Sequence, residues 1–108
     1  MDDEFSSAVR HDGLFGAVFE VNEATAYLYL LDMTAAEGGQ IIHAYPVPEK
    51  VKGDPQGEVR WSSDGDLAAV FRGDRIVAVL DLEIARQDTK RAGRAPSFND
   101  SARFDSVH

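Results

Sequence analysis

Residues 58–82 read EVRWSSDGDLAAVFRGDRIVAVLDL, three short β-strands separated by two tight turns. Arg72-Gly73-Asp74-Arg75 sits between two apolar runs, and Gly-Asp at its centre is a two-residue hairpin signal, because such turns need positive φ. If Arg72 faces Arg75, then Phe71 meets Ile76, Ala69 meets Ala78 and Leu67 meets Leu80 on one face. Val70 meets Val77 and Ala68 meets Val79 on the other. Both faces are apolar, whereas a sheet with one wet face alternates apolar and polar residues. The hairpin is therefore expected to be covered on both sides. Upstream, Ser62-Ser63-Asp64-Gly65 has the composition of a type I turn followed by a left-handed residue. It places Glu58 to Trp61 as the preceding strand, with Trp61, the single tryptophan, as a core anchor.

Outward from this unit, Leu14 to Val21 and Ala26 to Leu31 predict a hairpin around Asn22-Glu23-Ala24-Thr25. Ala17, Phe19, Leu28 and Leu30 share one of its faces; Val18, Glu20, Tyr27, Tyr29 and Leu31 share the other. Gln40 to Val47 is a further strand, with Ile41, His43 and Tyr45 on one side and Ile42 and Ala44 on the other. Pro46 and Pro48 end it or confine it to an edge, since proline donates no ladder hydrogen bond. Thr34 to Glu37 has the makings of a helical turn, and Pro48 to Gly57 of a surface loop. Residues 1–12 read as a polar arm. Leu82 to Gln87 is a short helix or a continued strand, and residues 84–108 form an irregular or partly disordered tail. The expected fold is mainly β: one domain, an antiparallel meander of about six strands with its core in residues 13–83, closed as a sandwich or a small open barrel, with at most one short helix.

The 108 residues suffice for one modest core, burying roughly 60–70% of the unfolded surface. There is no cysteine, hence no disulfide framework and no thiolate metal site. No apolar run approaches the ~20 residues that span a bilayer, and Met1-Asp2-Asp3-Glu4 is acidic where a signal peptide is basic. A cytoplasmic location is the expectation. A formal charge of −8 argues against nucleic acid and against anionic membranes as partners. The charge is uneven. Residues 1–82 carry six Lys/Arg against fifteen Asp/Glu, whereas residues 83–108 carry five against four. Within that tail, Arg86 to Arg94 is basic and suited to lie across the acidic body.

Few side chains suggest chemistry. In the simple hairpin register Asp66 falls opposite Asp81, and facing carboxylates could bind a cation or share a proton. Like charges directly opposite destabilise a sheet, so two solvated strand-end carboxylates are the competing reading. His11, His43 and His108 lack metal-ligand spacing. His43 could serve as a general base, but no motif ties a serine or carboxylate to it, which favours a strand residue with a satisfied hydrogen bond. Arg72-Gly73-Asp74 spells an adhesion tripeptide and Asn99-Asp100-Ser101 a glycosylation site; in a chain expected inside the cell both are turns. Trp61-Ser62-Ser63-Asp64-Gly65 followed by LAAVF is similar to blade turns of β-propellers. A propeller needs several blades of about 40 residues each, so this chain holds at most one. The face bearing Val18, Tyr27, Tyr29 and Leu31 is the candidate binding surface, because tyrosine combines apolar area with a polar tip. Burial under the tail or another strand is its alternative.

GLFGAVFE (13–20), AYLYLLD (26–32), VRWSSDGDLAAVF (59–71) and AVLDLE (78–83) resemble an uncharacterised family known as domain of unknown function number 2251. The similarity spans most of residues 13–83 and rests on hairpin glycines, strand aromatics and the Trp-Ser-x-Asp-Gly turn. The resemblance implies no activity, cofactor or catalytic residue. The function expected is that of a non-enzymatic acidic β-module that binds another protein or itself, without cofactor or metal. The alternatives are a small-ligand binder or enzyme using Asp66, Asp81 or His43, and a structural subunit of a larger β-assembly.

Overall fold

Gly73, at a φ of 67°, takes the left-handed conformation that the Arg72–Arg75 turn requires. The hairpin it closes belongs to one of two antiparallel sheets. The computed structural model describes residues 4–22, 25–35, 40–47 and 57–104. The first sheet is a meander of β1 (Glu4–Val9), β2 (Phe15–Val21), β3 (Ala26–Asp32) and β4 (Gln40–Pro46). The second runs β5 (Gly57–Trp61), β6 (Leu67–Arg72), β7 (Arg75–Asp81) and a two-residue β8 (Gly93–Arg94). The protein is thus mainly β, and the described residues hold one short helix, α1 (Leu82–Gln87), and form no closed barrel. The strand count exceeds the expected six because the N-terminal arm is itself a strand, β1, and the tail supplies β8. The Thr34–Glu37 turn lies partly, and the Pro48–Gly57 loop almost wholly, outside the described residues.

The sheets stack face to face around one apolar interior. Phe19, Leu28 and Leu30 come from the first sheet and meet Val70, Ala78 and Leu80 of the second, all fully buried. At both open sides, side chains bridge the sheet edges. On one side the Val59 amide donates to Ser6 Oγ (3.1 Å), and Trp61 Nε1 donates to the Ala8 carbonyl (3.0 Å). Trp61 is therefore anchored on the core and also bonded to β1. On the other side the Gly93 amide donates to His43 Nε2 (3.1 Å). A Cβ at Gly93 would collide with the Tyr45 ring, so only glycine lets β8 approach β4 this closely.

Two bulges correct the expected registers. Pairing shifts between Val70 and Phe71, so Val70 faces Ala78, Ala69 faces Val79 and Leu67 faces Asp81. The extra residue on β7 is Val77. A second shift between Leu30 and Leu31 makes Ile42 the extra residue of β4. Ile42 packs on the core, and Ile41 turns outward opposite Leu31.

The outer face of the second sheet is covered over β6 and β7, where its pattern is apolar, and stays open at β5, where Glu58 and Arg60 are exposed. Leu67, Ala69, Phe71 and Val79 form a second buried cluster, against which Phe104 of the tail packs. The Phe104 ring meets Phe71 edge-on at 5.2 Å, and the Arg60 guanidinium lies 4.5 Å from the Phe71 ring centroid. The tail is pinned by polar contacts. Arg94 makes a bidentate pair with the buried Asp100 (2.8 and 2.9 Å), which also accepts from the Ser97 amide (2.7 Å). Asp100→Ala should lower stability in urea by about 2 kcal/mol, because it removes the bidentate partner of Arg94 and leaves the Ser97 amide without its acceptor. Trp61→Phe should cost about 1 kcal/mol for the lost bond to Ala8, with faster amide exchange along β1.

Candidate functional site

The first sheet has an outer face that no described segment covers. Strand pairing sets its membership. Val18 faces Tyr29, Glu20 faces Tyr27 and Gly16 faces Leu31. The four residues singled out from the sequence, Val18, Tyr27, Tyr29 and Leu31, therefore lie together on the two central strands, each partly exposed. The Tyr27 and Tyr29 rings stack at 5.8 Å with an interplanar angle of 20°. Tyr29 donates its hydroxyl proton to Glu20 Oε1 (3.3 Å). Burial, with the Glu20 charge second, pushes the Tyr29 phenol above its usual pKa and keeps it a neutral donor.

The flanking strands extend the surface. Phe5 faces Glu20 and Val9 faces Gly16 from β1, while Ile41 faces Leu31 from β4. These are among the most exposed large apolar residues described: Phe5 at 68%, Val9 and Ile41 at 55%. Sequence reasoning missed them. Phe5 and Val9 fall in the segment that reads as a polar arm, although their spacing matches a strand face. Strict alternation groups Ile41 with His43 and Tyr45, and the bulge at Ile42 breaks that grouping.

The carboxylates proposed as a pair serve separate structural roles. Asp81 caps α1, accepting from the amides of Glu83 (3.0 Å) and Ile84 (3.2 Å). It also lies 3.6 Å from Arg94. Asp66 stands 3.9 Å from Arg10 on the neighbouring turn. The Val77 bulge sets Asp81 opposite Leu67, so the facing arrangement is not formed. Nearby, the Ser62 hydroxyl, the Asp66 amide and Arg103 all donate to Asp64, which lowers its pKa to about 2. Among the described residues no His, Asp or Glu cluster has the arrangement to hold a metal ion.

His43 sits at the β4–β8 side of the interior. Its Nε2 accepts the Gly93 amide, so the ring is neutral, and burial lowers its pKa. No helix among the described residues is long and apolar enough to cross a membrane. No family model, curated protein or solved structure matches the chain.

The His43 contact has a signed consequence. A histidine with a depressed folded pKa contributes stability that is present above its unfolded pKa of 6.5 and lost as pH falls through the folded value. Urea midpoints should drop as the pH is taken from neutral to below 6.5, and the drop should be smaller in His43→Gln, whose side chain does not titrate.

Proposed function

We propose that the protein is a non-enzymatic interaction module that binds another protein, or itself, through the outer face of the first sheet. One observation carries this: an apolar, aromatic sheet face left uncovered by every described part of a chain that covers its other apolar sheet faces. Contiguous exposed apolar surface rimmed by polar groups is characteristic of protein interfaces. The stacked tyrosines suit such a role, since they are rigid, lose little entropy on binding and keep a polar tip for hydrogen bonds. The ligand-binding or enzymatic alternative draws no support from Asp66, Asp81 or His43, each engaged in a structural contact. The similarity to the uncharacterised family adds no activity to this proposal. A cytoplasmic setting suits a chain without cysteine.

The absence of cysteine also makes the test clean. Val18→Cys labelled with an environment-sensitive fluorophore reports on the face. Its emission should shift to the blue on adding concentrated unlabelled protein or the macromolecular fraction of a lysate. A shift produced by the ultrafiltrate alone would point to a small ligand and against the proposal.

A further inference from the structure

The charge of the candidate face is its most unusual property. The chain is 28% charged and carries −8 overall. Among the described outward positions of β1 to β4, Glu20 alone is charged, and it is engaged by Tyr29. A basic partner would be recognised by carboxylates, and this face does not present them. What it offers is an apolar sheet surface with a single carboxylate tied to Tyr29, close in type to its own inner side, which already packs against a sheet. From these observations we infer that the occupant is a second copy of this chain, packed face to face across a two-fold axis near Val18 and Tyr29. This rests on the interaction reading above and names its partner.

The geometry fits. Two such faces in contact leave the described acidic turns, with Asp12, Asp64, Asp66 and Asp74, and the second sheet outside the contact, so apart from Glu20 the repulsion between these groups of two acidic chains is screened by salt. Val18 and Tyr29 are direct cross-strand partners on the two central strands, and an isologous contact brings the centre of a patch onto itself. Four strands about 4.8 Å apart and seven residues long at about 3.3 Å each give a face of roughly 19 by 23 Å, or about 440 Å² in projection per copy. The corrugated accessible area is larger, so two copies bury on the order of 1,000 Å², below the roughly 1,200 Å² where stable interfaces begin and in the range of transient ones. The dimer is accordingly weak and reversible, and it strengthens with added salt.

Sedimentation equilibrium on the full chain, with cross-linking of single-cysteine variants by a short bis-maleimide, tests the inference. The wild type should be a concentration-dependent dimer. Val18→Cys should cross-link to dimer, and Glu58→Cys, exposed on β5 at the edge of the second sheet's outer face, should not. Tyr29→Glu should weaken association at least tenfold. If that variant fails to fold, the cross-linking pair decides. A monomer at the highest concentration the protein tolerates would overturn the inference, as would a dimer that links through Glu58→Cys instead. A monomer whose labelled Val18→Cys still responds to a macromolecular fraction would overturn self-association alone and leave the interaction reading standing. A monomer with no such response would remove both.

Discussion

A β-sheet whose strands are apolar on both sides needs cover on both sides, and this constraint organises the molecule. Every strand of β6 and β7 obeys it. Ala68, Val70, Ala78 and Leu80 look inward at the first sheet, while Leu67, Ala69, Phe71 and Val79 look outward and are sealed by Phe104. The first sheet has the same two-sided character in β2 and β3. Its inner side, with Phe19, Leu28 and Leu30, is buried by the second sheet. Its outer side, with Val18, Tyr27, Tyr29 and Leu31, meets no described segment. Among the described residues, every apolar face but this one is covered from within, and the function proposed here is the covering of that face.

The polar contacts position these layers more than they hold them together. The edge bonds Val59 to Ser6, Trp61 to Ala8 and Gly93 to His43 tie the sheets at their open sides, where main-chain groups would otherwise lack partners. The Arg94–Asp100 pair and the Arg103–Asp64 pair set the tail so that Phe104 reaches Phe71. Most of the acidic groups named from the sequence belong to this scaffolding. Asp81 became a helix cap and Asp64 a turn acceptor, and neither is free for chemistry.

Much of this was legible in the residues. The mainly-β class, both central hairpins and the grouping of Val18 with Tyr27, Tyr29 and Leu31 follow from period-two alternation and turn chemistry. Three features were not. Bulges at Val77 and Ile42 leave no mark in composition, and each shifts a register by one residue. That shift separates Asp81 from Asp66 and turns Ile41 outward. The strand β1 has only Phe5, Ala8 and Val9 as apolar groups, too weak an alternation to declare itself without the edge of β2 beside it. The order of the tail depends on the Arg94–Asp100 pair and on Phe104, contacts that close only once the second sheet exists.

The central claim is that the outer face of the first sheet is open on the isolated chain. It is tested most directly by methyl NMR in dilute solution with a soluble paramagnetic agent. Strong relaxation enhancement is expected for Val18, Leu31 and Ile41, and none for the buried Leu28 and Leu30. Methyls of Val18 and Leu31 as silent as those of Leu28 in dilute solution would mean that the chain covers this face itself, and would contradict the account.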